Sequence, residues 1–370
     1  MYSTEQKVLI VLGTLEISTA LKWHKFFNRI GGIDVLWEEK EGLSELITSV
    51  FDKSAYDKLN FSLSDFFFDN IMRKYEKAGI TPVAFTDDAY SEMLKEIADP
   101  PLTLFCKGDV DLLNKQSVAV VGSRKCTCYG KRVAETFTAS LGNRFCIVSG
   151  LANGVDSAAH KKALETGAKT IAVLGGGFEH IYPANNVPLA EEIERSGLLV
   201  TEFSPSSEPS SYRFPMRNRI ITGLSQGVLV AEAGQKSGVF STVEAASQQN
   251  RDVFVVPGDI FSFASVGTNG LLKNYRNMLV TSPQDILDFY GVTYVAKEKS
   301  TKKVASYQPD MEEEKIIATL ANGDKLHFDE IVYKSGLNAS EVNFLLTNLE
   351  LFDIVTKLNG NYYQLKTEAN

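Results

Sequence analysis

Val118-Ala119-Val120-Val121-Gly122-Ser123-Arg124 decides the fold of this chain. Four apolar residues, three of them β-branched, run without the polar alternation of a half-exposed strand, so both faces of this strand are buried. A glycine, a hydroxyl and a guanidinium follow at once, where the backbone turns toward a helix. The same pattern repeats downstream. Strand-like runs at Cys146–Val148, Ile171–Leu174, Leu198–Thr201, Val228–Val230 and Val253–Val256 alternate with helical stretches. Those stretches are Lys131–Leu141, Ser157–Glu165, Pro188–Arg195, Asn218–Leu224 and Thr242–Gln249. Buried strands alternating with helices predict an α/β, doubly wound, parallel-sheet (Rossmann-like) domain over residues 100–290.

Outward from that domain the patterning changes. Lys7–Leu15, Ala20–Ile30, Asp34–Glu41 and Asp65–Ala78 carry apolar residues at three- and four-residue spacing. Residues 1–99 are therefore expected to form a helical N-terminal domain of the SAM or helix-hairpin-helix kind, read as a packing or partner-binding module. Asp99-Pro100-Pro101 gives an extended connection into Leu102–Phe105. Residues 291–310, polar and dotted with Lys297, Lys299, Lys302 and Lys303, read as a linker. Glu312–Leu320, Phe328–Gly336 and Ala339–Glu350 then read as helices. Ile354–Leu358 and Tyr362–Leu365 follow as strands around Asn359-Gly360, so residues 311–370 are expected to be a winged helix. The helix that would read DNA holds no lysine or arginine between Ala339 and Glu350, which favours a protein contact.

The 370 residues are 44% hydrophobic and 23% charged, the balance of a globular protein. Runs of about 18 apolar residues, the span of a bilayer, do not occur, and the start of the chain lacks a secretory pattern. Four cysteines make no disulfide framework, so a cytoplasmic location is expected. The net charge of −8 argues against nucleic acid until it is divided. Residues 1–114 carry −7 and residues 291–370 carry −3, whereas residues 115–290 carry +2.

Ligands of an open parallel sheet bind beyond the carboxyl ends of its strands. The loops expected there are Gly122-Ser123-Arg124, Ser149-Gly150 through Asp156, Gly175-Gly176-Gly177, Phe214-Pro215-Met216-Arg217-Asn218-Arg219, and Lys236-Ser237-Gly238. Each alone is an ordinary strand-to-helix turn. Together they form a rim of glycines, hydroxyls and cations suited to phosphate. The rim lacks both the dinucleotide fingerprint and the G-x-x-x-x-G-K-[ST] loop. Asp156 and His160, one helical turn apart, are either an acid–base pair or a helix cap above a packed histidine, and the second reading is favoured. The cysteines lack zinc spacing, so neither a metal nor a cofactor is expected. A rim that holds phosphates without reacting suits a nucleic-acid backbone. Tyr129, Tyr182, Tyr212 and Phe214 offer rings for unpaired bases, although Tyr129 and Tyr182 read equally well as core.

Taken in order, Val118–Gly130, Ile147–His160, Thr170–Pro183, Phe214–Leu224, Val228–Thr242 and Val253–Gly258 resemble the DNA-processing protein A family, DprA or Smf. The resemblance implies a non-enzymatic, cytoplasmic protein that binds and protects single-stranded DNA and loads the RecA recombinase in natural transformation. It also implies a homodimer formed through the Rossmann-like domain. The binding set it implies is Gly122, Ser123, Arg124, Gly150, Phe214, Arg217, Asn218, Arg219, Lys236, Ser237 and Gly238. Asn153 stands where the family commonly has arginine. Asn269-Gly270-Leu271-Leu272 and Tyr90-Ser91 also depart from its pattern. The rival expectation is a nucleoside-monophosphate N-glycosidase, whose Pro-Gly-Gly-x-Gly-Thr loop is here Val256-Pro257-Gly258-Asp259; Glu232 and Glu244 would be its candidate acids.

Overall fold

The fold is described from a computed structural model. It describes residues 2–274, 276–292, 309–321, 325–352, 354–358 and 360–366. The expected linker lies outside these residues from 293 to 308, as does Asn359 of the expected turn. The chain divides into two compact units, Met1–Tyr294 and Val295–Asn370.

The first unit is built on a nine-stranded sheet. Its strands are β1 (Thr81–Ala84), β2 (Thr103–Gly108), β3 (Ser117–Val121), β4 (Cys146–Ser149), β5 (Thr170–Val173), β6 (Leu198–Thr201), β7 (Gly227–Val230), β8 (Asp252–Val255) and β9 (Met278–Leu279). The spatial order is β1-β2-β6-β5-β4-β3-β7-β8-β9. Strands β3 to β9 pair in parallel, and β2 pairs antiparallel with both β6 and β1. All five residues of β3 are buried, as its unbroken apolar run requires. From β3 the chain winds outward through β4, β5 and β6, then returns to β7 on the other side. The reversal leaves a crevice beyond the ends of β3 and β7.

Several features of this unit differ from the sequence reading. Residues 1–99 and 100–290, expected as separate domains, share one compact unit, and Thr81–Ala84 in the stretch read as helical is a strand. Pro82 masks it in sequence; proline is tolerated there because β1 is the edge of the sheet. The stretch that the Asp99-Pro100-Pro101 connection leads into, Leu102–Phe105, opens a strand, β2, at Thr103. Ser44–Val50 and Lys53–Ser62 add two helices to the N-terminal segment. The helix expected at Asn218–Leu224 begins earlier, at Arg213, which lifts Phe214 and Arg217 out of a loop onto its first turns.

The second unit is a winged helix. Its helices are Met311–Leu320, Phe328–Ser335 and Ala339–Leu351. Strands β10 (Leu326–His327), β11 (Val355–Leu358) and β12 (Tyr362–Leu365) form an antiparallel sheet in the order β10-β12-β11. Ile316, Ile331, Val342, Leu346, Leu349 and Tyr363 form its core. A capping box between Asn338 and Glu341 starts the last helix.

Candidate nucleic-acid interface

The loop after β3 and the loop after β7 meet at the crevice, as the switch in strand order demands. They enclose a cleft of about 540 Å³ whose lining includes Gly122, Ser123, Arg124, Lys125, Arg217, Asn218, Lys236, Ser237 and Gly238. Eight of the eleven residues expected to bind phosphate thus line one cleft. Arg124, Lys125 and Lys236 are exposed at its lip. Lys125 was not among the expected residues; its position directly after Gly-Ser-Arg was the available signal.

A groove of about 480 Å³ shares Arg124, Asn218 and Gly238 with the cleft and adds Tyr182, Phe214 and Pro215. The Arg124 guanidinium lies 5.0 Å from the centre of the Phe214 ring, within cation–π reach. Tyr182 is 53% exposed, and its ring centre is 5.5 Å from that of Phe214. Tyr182 therefore stands beside the cations. Tyr129 instead donates its hydroxyl to the Pro257 carbonyl at 2.6 Å.

Three expected residues behave differently. Arg217 is only 4% exposed and forms part of the cleft floor. It donates to the Gly150 carbonyl at 2.6 Å, to the Val173 carbonyl, and to Asn218 Oδ1 at 3.2 Å. Burial pulls its pKa down to about 10, with the like charge of Arg124 acting in the same direction and Asp156 opposing. Its donors hold β4 and β5 to the helix above them. Gly150 does not line the cleft: a Cβ there would lie 2.5 Å from the Arg217 guanidinium, so the close approach it permits is that of this side chain. Gly122 similarly admits Val155. Only Gly238, of the three glycines, faces open space.

Arg219 leaves the rim altogether. It pairs with Glu202 at 2.5 Å and with Asp99 at 3.4 Å, lining a second cavity of about 240 Å³ beside Leu12 and Glu16. A helix turns 100° per residue, so Arg217 and Arg219 point to opposite sides of the one that carries them.

The acids near the cleft are also engaged. Asp156 accepts from the Gly150 and Ala152 backbone N–H groups at 3.1 and 3.4 Å; burial raises its pKa against the pull of Arg217. His160 bonds Thr170 Oγ1 through Nδ1 at 2.7 Å, and Thr170 donates onward to Ile147 O. Nδ1 is therefore the protonated nitrogen, and burial drives the pKa of the ring down to about 3. Glu232, 2% exposed, accepts from Thr127 N at 2.8 Å and Thr127 Oγ1 at 2.5 Å, which holds the start of the helix after β3. Asn153 is exposed and accepts from Asn185 at 2.8 Å. Groups of three or more potential metal ligands do not occur among the described residues.

Residues 81–291 match the family described as DNA recombination-mediator protein A, and residues 300–361 match the DprA winged helix domain. The chain belongs to the DprA/Smf family. DNA processing protein DprA of Streptococcus pneumoniae is 47% identical over 201 residues, 54% of this chain and 71% of that protein. Protein Smf of Escherichia coli is 38% identical over 287 residues, 75% of each. The X-ray structure of the S. pneumoniae DprA aligns with a TM-score of 0.66 at 35% identity, covering 76% of this chain and 97% of that one. A structure of the Helicobacter pylori DprA, solved for its single-stranded DNA binding mode, aligns with a TM-score of 0.51 at 32% identity. It covers 57% of this chain and 95% of that one. The DprA fold thus extends over the sheet that carries the cleft. None of the described helices is long and apolar enough to cross a membrane.

Proposed function

We propose that this protein binds single-stranded DNA without altering it, the sugar–phosphate backbone running along the lip of the cleft. One observation carries the reading: Arg124, Lys125 and Lys236 stand exposed around a single cleft, with Phe214 and Tyr182 at its open side. Lip cations suit phosphates and accessible rings suit unstacked bases, a pairing that a bare strand uses and a duplex does not. The single-stranded DNA bound by the H. pylori DprA supports the same ligand.

The non-catalytic part of the reading rests on the engaged acids. Asp156 is occupied by two backbone donors and Glu232 by Thr127, while the exposed Glu244 lines neither the cleft nor the groove. An N-glycosidase would need one of them free beside the sugar. Incubation with nucleoside monophosphates tests this: no free base is expected, and base release abolished by Glu232→Gln would establish the enzyme instead.

Family membership extends the proposal to cytoplasmic protection of incoming DNA and its delivery to the RecA recombinase in natural transformation. Ile260, Phe261 and Phe263, which are 78, 88 and 90% exposed in the loop after β8, are the surface we assign to a homodimer. Sedimentation of Phe261→Asp at micromolar concentration should give a monomer where the wild type gives a dimer. The binding proposal itself is tested by titrating an oligothymidine and a duplex of equal length. Tighter binding of the single strand is expected; equal or weaker binding contradicts the proposal.

A further inference from the structure

We infer that Glu16, in the N-terminal helical segment, is a positioning residue for the Phe214 edge of the DNA cleft. The inference rests on the single-strand reading above and adds a second segment of the chain to it.

Residues 204–212 are the last part of the connection from β6 to the helix Arg213–Gly223 and have no regular structure of their own. They deliver Phe214, so whatever holds them sets where that ring stands. On one side they rest on Gly175-Gly176-Gly177. The Gly177 N–H donates to Ser207 O at 2.7 Å, and Glu179 N donates to Pro205 O at 3.0 Å. A Cβ on Gly177 would lie 2.2 Å from Pro205 O, and one on Gly175 would lie 2.7 Å from the Phe214 ring. The triple glycine, expected to offer bare amides to phosphate, is instead the seat on which this segment lies.

The other side is held by one carboxylate. Glu16 Oε1 accepts from Ser204 N and from Ser207 Oγ, both at 2.5 Å, and Oε2 accepts from Arg213 Nη2 at 2.7 Å. These contacts bracket the segment from its first residue to the residue before Phe214. The Arg213 guanidinium also lies 4.6 Å from the Phe203 ring centre. Glu16 caps the helix Thr4–Leu15 at φ 47°, a left-handed conformation uncommon outside glycine, and its N–H donates to Leu12 O. The strained backbone aims a side chain with three donors to satisfy. Glu16 touches no phosphate in this scheme; it acts through Phe214.

The test is fluorescence anisotropy of labelled oligothymidine with full-length wild type, Glu16→Ala, Phe214→Ala and the double variant. Phe214→Ala is expected to weaken binding. Glu16→Ala should weaken it about fivefold, and the double variant should be no weaker than Phe214→Ala alone, since residues acting through one contact are not additive. The salt dependence should be unchanged in Glu16→Ala, because no phosphate contact is lost. Thermal melts accompany each variant. If Glu16→Ala does not fold, Glu16→Gln, which retains one acceptor and loses the charge, carries the same cycle with a smaller loss. A wild type that does not bind overturns the single-strand reading and this inference with it. Wild-type affinity in Glu16→Ala beside a weakened Phe214→Ala, or losses that add in full, overturns this inference alone.

Discussion

Arg124 and Arg217 line the same cleft, yet their charges serve opposite ends. Arg217 lies in the floor, buried, its donors committed to the carbonyls of Gly150 and Val173. Arg124 stands exposed at the lip beside Lys125, with its guanidinium over Phe214. The floor builds the cleft and the lip faces the ligand. A cation in a motif therefore says little about its use until its burial and partners are known. Strong sequence signatures can mark the residues that shape a site as readily as those that touch what enters it.

This contrast predicts effects of different kind and size. Arg217→Ala should cost about 3–5 kcal/mol in urea unfolding, because it leaves buried carbonyls and Asp156 without their cation. A variant as stable as wild type that loses only DNA affinity would break the distinction between floor and lip.

The next largest effect sharpens the description of the floor through pH. His160 is neutral in the fold, its pKa near 3 against 6.5 for the free side chain. Between those values the unfolded chain binds a proton that the folded chain does not, so this stability is present above pH 6.5 and lost as pH falls toward 3. Unfolding of wild type and His160→Gln should show a stability difference that changes by ~3 kcal/mol between pH 7 and pH 4, the wild type losing more. A constant difference would show that the ring titrates normally.

Glycines extend the comparison. Gly150→Ala pushes a methyl into the Arg217 guanidinium and should cost about 1–3 kcal/mol of stability. Gly238→Ala, at the lip in open space, should stay within about 0.5 kcal/mol in the same melts. Equal costs would mean that the floor relaxes freely around the added methyl.

Much of this architecture was legible in the sequence. Unbroken apolar runs such as Val118–Val121 marked the parallel strands, because burial on both faces leaves no polar alternation. Order of strands, not composition, brings the loops after β3 and β7 together, and those loops were rightly expected at one edge. Other features turn on three-dimensional context. Pro82 hid an edge strand, and the early start of the helix at Arg213 turned Arg217 inward and Arg219 toward Glu202. Gly175-Gly176-Gly177 looked like an anion site because the segment that covers it lies some thirty residues downstream. Lys125 follows Arg124 directly, but a single lysine on a loop is most often an ordinary solvated charge, so sequence alone gives it no distinct role.

The most direct measurement is the affinity of full-length wild type and Arg124→Ala for oligothymidine across a series of salt concentrations. A lip cation on a phosphate predicts roughly tenfold weaker binding and a log–log salt slope smaller by about 0.7, the share of one contact to a single strand. An Arg124→Ala protein that melts like wild type and binds with the same affinity and slope would contradict the account.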